Sequence, residues 1–218
     1  MNNGKELHHL VLIRLAAGQT PADLAKLDPA QPLPEGMVMV GGPNPANPEG
    51  GTAEAIVELK PGNYVMACFI PARTDGKPHI MHGMVRPLTV TASQVESQAP
   101  TPDVTLKLSD YAFESTPALT GGHHVIRVEN DGPQLHELVL VKLDAGKTVQ
   151  DFLQWAEKLQ GPPPGTPVPG VSLISKGETN FITLDLVPGE YGMFCFVQDS
   201  KDGKPHFMHG MVKQVTVM

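Results

Sequence analysis

The sequence is poor in cysteine, in aromatic residues and in charge. Its 218 residues include two cysteines and one tryptophan, and 18% of them are charged. We expect no disulfide, because Cys68 and Cys195 belong to two separate segments and a disulfide requires Cα atoms within about 7 Å of each other. The net charge of -7 and the lack of a basic cluster argue against binding to nucleic acid or to an anionic membrane surface.

Long apolar runs are also missing, so we expect no membrane span. The segment Met1–Glu6 has neither the basic region nor the apolar region of a secretory signal. We therefore expect either a cytoplasmic protein or one whose leader is not part of this sequence. Phosphate-binding loops of the Walker type, Gly-x-Ser-x-Gly elbows and His-Glu-x-x-His motifs do not occur, which argues against the enzyme classes that depend on them.

Glycine and proline, by contrast, are abundant, with 22 residues each. Such a composition disfavours long helices and favours many short strands joined by turns. The length suits one large domain or two domains of about 100 residues each. A segment that occurs twice, at positions 68–84 and 195–211, favours two domains.

Each copy of this segment has the pattern Cys-x10-His-x4-Met. A thiolate, an imidazole and a thioether on one loop, with a second imidazole from elsewhere, form the ligand set of a trigonal His2Cys copper site with a weak axial methionine. The glycine directly before each methionine, Gly83 or Gly210, allows the tight bend that such a site needs. A buried cysteine and a core methionine are the structural alternative. The same spacing in two loops whose other residues differ favours the metal.

The repeat extends beyond these loops. Residues 2–15 match residues 130–143, with an Asn-x-Gly turn, a histidine (His8 or His136) and an apolar strand. Each half then has a threonine before an apolar pattern at helical spacing, which predicts short helices within 19–27 and 147–159. The Pro- and Gly-rich spacers at 43–51 and 161–170 predict no regular structure. Further strands are predicted at 53–59, 63–68, 85–90, 104–108, 124–128, 180–186, 190–195 and 212–217.

We therefore predict an all-β fold with one domain at residues 1–92, a linker at 93–102 and a second domain at 103–218. The first domain has no counterpart to the strands at 104–108 and 124–128, because Met1 stands where they would end. A β-sandwich without these two strands has unpaired edges and an uncovered core face. We expect the cover to come from upstream residues or from another chain. A homo-oligomer is therefore one of the possible assemblies.

On these motifs both halves resemble cupredoxins, the blue-copper β-sandwiches that include plastocyanin, azurin and nitrite reductase. The resemblance covers residues 2–91 and 103–217. It implies two Greek-key β-sandwiches, each with a short inserted helix and one type 1 copper ion. Matched position by position, it implies eight copper ligands: His8, Cys68, His79 and Met84 in the first domain, and His136, Cys195, His206 and Met211 in the second.

The sequence departs from the cupredoxin pattern at two places. The ten residues between cysteine and histidine are more than the usual family loop contains. The asparagine that often follows the first histidine in cupredoxins, where it helps to fix the thiolate, is replaced by His9 and Glu137. We expect the remaining histidines to be exposed or at a strand edge: His9, His82, His123, His124 and His209. For the two that lie in the repeated loops, His82 and His209, a role as ligands is the alternative.

Multicopper oxidases and two-domain nitrite reductases are also built from cupredoxin domains, so an enzyme has to be considered. In those proteins a histidine next to the cysteine binds a second copper centre. Here the neighbours of the cysteines are alanine and phenylalanine, and no His-Cys or His-x-His pair occurs. We therefore predict an electron carrier rather than an enzyme, with copper as its cofactor and redox proteins as its partners.

Apolar residues near His79 and His206, among them Phe69 and Phe196, predict a rim at which these partners dock. Copper would be lost to the thiols of a reducing compartment, so the expected location is the periplasm or outside the cell. Two alternatives stay open. The repeated His-x-Met-His-Gly-Met cluster would suit a copper-handling or delivery protein, and a β-sandwich without metal would serve as an interaction module.

Overall fold

The computed structural model describes residues 1–27, 31–93, 97–158 and 160–218. Part of the predicted linker (94–96) and the last residue of the second predicted helix (159) therefore lie outside the described residues. One α-helix, α1, spans Val149–Lys158, and 3-10 helices span Pro21–Lys26, His79–His82 and His206–His209. The strands are β1 (Val11–Arg14), β2 (Val38–Gly41), β3 (Pro43–Asn44), β4 (Ile56–Val57), β5 (Gly62–Ala67), β6 (Val85–Val90), β7 (Val104–Ser109), β8 (Ala112–Thr116), β9 (Gly122–Asn130), β10 (His136–Leu143), β11 (Gly165–Ile174), β12 (Thr179–Leu186), β13 (Gly189–Phe194) and β14 (Val212–Val217).

The strands form two sheets. The larger sheet has the order β14-β13-β10-β11-β2-β1-β5-β6, with β3 paired to β11, and the smaller sheet has the order β4-β12-β9-β7-β8. The second half of the chain supplies strands to both sheets and encloses a core between them, which includes Leu106, Leu138, Leu140 and Ile182. The predicted all-β class is confirmed. No helix in the described part of the chain is long and apolar enough to cross a membrane.

The first half of the chain extends the sheets of the second half. Strand β2 pairs with β11 through Val40 and Ile174, and β4 pairs with β12 at the edge of the smaller sheet. In the described residues of the first half, no strands correspond to β7 and β9, as predicted. Part of the strand pairing that the first half lacks is thus supplied by the second half of the same chain.

A buried asparagine fixes this junction. Asn180 in β12 donates a hydrogen bond of 2.7 Å to the Val40 carbonyl and accepts one of 2.9 Å from the Gly42 amide. Gly41 has a φ of +102°, and a Cβ there would stand 2.3 Å from the Asn180 Oδ1 atom. Only glycine fits this close approach, because the left-handed conformation and the contact both exclude a larger residue.

Helices cover the outer faces of the larger sheet. Phe152 and Leu153 of α1 pack with Val141, Leu143 and Phe194. The alternation of side chains along β10 explains this arrangement. Leu138 and Leu140 face the sandwich core, whereas Val141 and Leu143 face outward and are covered by α1. In the first half, Leu24 of the first 3-10 helix packs with Val11, Ile13, Val65 and Ala67.

The prediction of an irregular spacer at 161–170 is wrong, because residues from Gly165 onward belong to the ten-residue strand β11. The prolines fit for a geometric reason. The Pro167 carbonyl accepts a hydrogen bond of 2.9 Å from the Asn47 side chain of the first half, so this side of the residue faces away from β10. The Pro167 nitrogen lies on the same side, so its lack of a hydrogen atom removes no hydrogen bond between β10 and β11. Strands β2, β3 and β8 were not predicted, and β3 begins the spacer at 43–51 that was expected to be irregular. The first predicted helix is a 3-10 helix.

Candidate metal centres

Each cysteine directly follows a strand, as predicted, and opens the repeated loop. Cys68 follows β5 and Cys195 follows β13. The loop closes on itself, since the Cys68 amide donates to the Met84 carbonyl at 3.2 Å and the Cys195 amide donates to the Met211 carbonyl at 3.3 Å. The left-handed glycine before each methionine, at a φ of +88° for Gly83 and +101° for Gly210, ends the 3-10 helix and makes this return.

The second half brings its predicted cysteine and histidine ligands together. The Cys195 Sγ atom lies 4.0 Å from His136 Nδ1 and 3.5 Å from His206 Nδ1. The three side chains are fully buried, and Met211 is buried as well. His136 begins β10, whereas the other three residues belong to the loop around Cys195, so the centre joins two distant parts of the chain.

The first half repeats this geometry in a more open setting. The Cys68 Sγ atom lies 3.8 Å from His8 Nδ1 and 3.4 Å from His79 Nδ1. Cys68 and His79 are buried and His8 is half-buried, but Met84 is 41% exposed. A cavity of about 530 Å³ lies beside His8 and Met84. The structure therefore brings the cysteine and both histidines together in each half, with the methionines in different surroundings.

These separations fit a shared metal ion. Bonds of about 2.3 Å to sulfur and about 2.0 Å to nitrogen, the lengths found for zinc, place the two donor atoms roughly 3.7 Å apart at an angle of about 120°. The observed sulfur–nitrogen distances lie between 3.4 and 4.0 Å. In each half the three donor atoms also lie within 4.8 Å of one another. Thiolate and imidazole are donors that suit copper and zinc, and copper adopts the trigonal form with a distant methionine.

Burial favours the protonation state that an imidazole ligand needs. It lowers the pKa of His8 and of His136, and it lowers the pKa of His206 to about 4. The rings are therefore neutral at pH 7 and keep a lone pair for a metal. Burial also raises the pKa of both thiols, Cys68 and Cys195, so a metal ion would have to displace a proton from each.

A carboxylate contacts the outer nitrogen of one histidine ring in each centre. His136 Nε2 lies 2.8 Å from Asp110 Oδ1 and His79 Nε2 lies 3.1 Å from Glu6 Oε2. A proton on Nε2 leaves Nδ1 free to face the sulfur, which is the arrangement that a metal-bound histidine requires. Sequence reasoning did not find Glu6 or Asp110.

His206 differs from the other histidines of the two centres. Its Nε2 atom is buried without a hydrogen-bond partner, and its nearest carboxylate, Asp199, lies 3.8 Å away. Asp199 instead accepts hydrogen bonds from Tyr111 and from Gln134, the latter at 2.8 Å. The Tyr111 ring packs edge-on against the His206 ring. His206 is therefore fully covered, and docking of redox partners at the apolar residues near it stays a prediction.

The residues that replace the family asparagine bond to the loops. His9 Nε2 accepts a hydrogen bond of 2.8 Å from the Phe69 amide, and Glu137 Oε1 accepts one of 3.1 Å from the Phe196 amide. Burial lowers the pKa of His9 to about 4 and raises the pKa of Glu137 to about 7. The prediction that His9 is exposed is wrong, because its ring is turned inward to the residue after Cys68.

The remaining histidines lie outside the two centres. His82 and His209 each contact an aspartate of their own loop at 3.1 Å, Asp75 or Asp202. His209 and Asp202 form a third group of potential ligands with Asp199. His123 is exposed, whereas His124 is buried and lies 2.6 Å from Asp103, so its predicted place at the surface is wrong.

No protein-family model matches the chain. No curated protein matches it either. Among solved structures, it is similar to reduced auracyanin from Roseiflexus castenholzii, with 18% identity over 52% of this chain and 94% of that one and a TM-score of 0.37. It is also similar to auracyanin B, with 24% identity over 56% and 93% of the two chains and a TM-score of 0.35.

A blue copper oxidase from Nitrosomonas europaea is similar over 99% of this chain and 70% of its own, with 16% identity and a TM-score of 0.27. All three TM-scores are below 0.5, so the functional conclusion rests on the geometry of the two centres. Both halves of the chain place a cysteine at the end of a strand, one histidine before it on an earlier segment and one after it in the closing loop. This arrangement is the one that the cupredoxin resemblance of the sequence implies for each half.

Proposed function

We propose that the protein binds one type 1 copper ion in each half and carries single electrons between redox proteins outside the cytoplasm. The observation that carries this proposal is that each thiol faces the Nδ1 atoms of two histidines at 3.4–4.0 Å. The ligands would be His8, Cys68 and His79 in the first half and His136, Cys195 and His206 in the second. Met84 and Met211 would be the axial ligands.

Copper supplies reversible one-electron chemistry to such a site, and the protein supplies its rigidity. In the second half, the full burial of the three donors and the Asp110 contact of His136 hold the rings in one orientation. A fixed ligand geometry limits the rearrangement that accompanies a change of oxidation state, which favours fast electron transfer. This support is weaker in the first half, where His8 is half-buried.

A carrier is favoured over an oxidase by the residues next to each thiol. The residues before the cysteines, Ala67 and Phe194, are buried in apolar clusters. The residues after them, Phe69 and Phe196, have apolar side chains, and their amides donate to His9 and Glu137. These residues offer no donor for a second copper ion on the far side of the strand.

Copper handling is a second candidate function. Met81 and Met208 are 68% and 61% exposed, and each precedes a loop histidine. Exposed thioethers beside imidazoles are soft donors that suit Cu(I) arriving from a partner. In this role the ions would be cargo, and the two thiol centres would not cycle between oxidation states.

Titration of the metal-free protein with Cu(II) tests the proposal. We expect the intense thiolate-to-copper absorption of a type 1 site, reduced to about one half in Cys68→Ser and in Cys195→Ser and abolished in the double variant. A protein that takes up Cu(I) tightly but gives no such colour with Cu(II) would be a copper handler. A protein that takes up neither ion would be an interaction module, and the proposal would be wrong.

A further inference from the structure

A series of polar contacts connects the two candidate metal centres across the boundary between the halves. At one end, the Phe69 amide beside Cys68 donates to His9 Nε2. At the other end, the Phe196 amide beside Cys195 donates to Glu137 Oε1. Asn44 lies between them. Its Nδ2 atom donates to Glu137 Oε2 at 3.2 Å, and its side chain also lies beside the His9 ring.

The direction of this series follows from the donors and acceptors available. Because His9 Nε2 accepts a hydrogen bond from the Phe69 amide, a neutral His9 ring carries its proton on Nδ1, and we infer that it donates this proton in a hydrogen bond to Asn44 Oδ1. Asn44 then donates to Glu137, whose two oxygens both accept. If the Asn44 amide were turned over, its NH2 group would face a donor and its oxygen would face an acceptor. Each end of the series therefore depends on the same orientation of one amide.

Burial makes the series sensitive to a change at either end. Asn44 is 3% exposed and Glu137 is 7% exposed. Asn44 also belongs to β3, whose pairing with Gly170 in β11 holds it against the second half. In a buried polar network, a group that loses its partner is not compensated by water.

We propose that Asn44 is a positioning residue shared by the two centres, and that it couples them so that a metal ion at one centre raises the affinity of the other. This inference rests on the proposed function, since it requires both centres to bind metal. A metal ion on Cys68 fixes the adjoining Phe69 peptide. Through His9, Asn44 and Glu137, the Phe196 peptide beside Cys195 is ordered as well. The second ion then meets a centre that has already lost part of its conformational freedom.

The first test uses the metal-free protein and follows amide hydrogen exchange of Phe69 and Phe196 by NMR at a mildly alkaline pH. Glu137→Ala removes the acceptor of the Phe196 amide, so faster exchange there is expected in any case. The series predicts that Phe69 also exchanges faster, by roughly two- to tenfold, although Glu137 does not bond to it. An unchanged Phe69 rate would overturn the inference.

Asn44→Ala should speed exchange at both amides. Asn180→Ala is the matched control, because Asn180 is also a buried asparagine that joins the two halves, and in the described part of the chain its side chain bonds to Val40 and Gly42 instead. We expect it to leave the Phe69 and Phe196 rates unchanged relative to neighbouring strand amides. An effect of Asn180→Ala equal to that of Asn44→Ala would show a general loosening of the junction and would overturn the specific role of Asn44.

The second test measures copper affinity. We expect the copper affinity of the first centre to be at least about fivefold lower in Cys195→Ser than in the wild-type chain with its second centre filled. The copper affinity of the second centre should fall by the same factor in Cys68→Ser, compared with the wild-type chain with its first centre filled. Asn44→Ala should remove this factor and Asn180→Ala should keep it. If Asn44→Ala does not fold, Asn44→Asp keeps the size and the acceptor for His9 but loses the donor to Glu137, and it should also remove the factor.

The outcomes separate this inference from the proposed function. Two centres that bind copper with the same affinity whether or not the other is filled would overturn the coupling and leave the proposed function intact. A chain that binds no copper at either centre would overturn both.

Discussion

Glu6 Oε2 lies 3.1 Å from His79 Nε2, on the far side of the ring from the Cys68 thiol. The second half uses a different arrangement, because its carboxylate, Asp110, contacts the first histidine of the centre and not the loop histidine. Glu6 and Gln134 occupy matching positions, and each also accepts a backbone amide of the repeated loop, from Arg73 or from Ser200. The two centres thus share a loop but orient their rings with different neighbours.

The Glu6 contact predicts that Glu6→Ala weakens metal binding at the first centre alone. Loss of the group that orients a ligand histidine typically lowers metal affinity by about ten- to a hundredfold. The measurement is a copper titration in the Cys195→Ser background, so that only the first centre is observed. Glu35→Ala, at an exposed position, is the control for the change in charge. Equal affinities for the Glu6 and Glu35 variants would contradict the orienting role.

Asp110→Ala is expected to destabilise the metal-free protein by about 1–3 kcal/mol, because it leaves the Nε2 proton of the fully buried His136 without an acceptor. The measurement is urea unfolding. Asp131→Ala serves as the control, since Asp131 pairs with Lys107 at the surface and an exposed pair contributes about 1 kcal/mol or less. If the Asp110 variant lost no more stability than the control, the acceptor role of Asp110 would be wrong.

Much of the local structure could be predicted from the sequence. The apolar runs after His8 and His136 form β1 and β10, and both cysteines lie at the end of a strand. These predictions succeed because strand alternation, Asn-x-Gly turns and a repeated ligand spacing are local signals. The Asn-x-Gly turn is the same in both halves, where Asn2 and Asn130 each accept the amide of the glycine two residues on at 2.8 Å.

The contacts between the halves could not be predicted in this way. Asn44, Asn180 and Pro167 read as spacer or strand residues, and their importance depends on partners more than ninety positions away. The same limit explains His9. Its neighbours in sequence do not reveal that the Phe69 amide lies 2.8 Å from its ring, so exposure was the wrong prediction. One signal was available, since His9 and Glu137 both stand where the cupredoxins that the sequence resembles often have an asparagine that helps to fix the thiolate.

The two methionines are expected to differ in their effect on stability. Met211 is fully buried in the sandwich core, whereas Met84 is 41% exposed. Met211→Ala should therefore cost about 2–5 kcal/mol in the metal-free protein, because it opens a cavity in a packed core. Met84→Ala, the matched control at the equivalent position, should cost about 0.5 kcal/mol or less. Equal losses in urea unfolding would contradict the different burial of the two side chains.

Glu137 predicts an unusual dependence of stability on pH. Burial raises its pKa from 4.5 to about 7. Between these values the unfolded chain has released the proton that the folded chain still holds, so the contribution of Glu137 to stability falls as the pH rises. The full change corresponds to about 3 kcal/mol. His9 and His206 act in the opposite direction, since burial lowers the pKa of each to about 4.

The contribution of Glu137 is isolated by comparing the metal-free wild type with Glu137→Gln at about pH 4.5 and at about pH 7.5, since the two histidines contribute equally to both proteins. We expect the variant to gain about 3 kcal/mol in unfolding free energy relative to the wild type as the pH rises. Glu114→Gln, at an exposed position of β8, should show no such change. If the difference between wild type and Glu137→Gln were the same at both pH values, the carboxyl group would titrate alike in the folded and unfolded chains. Its burial beside the Phe196 amide would then not hold in solution.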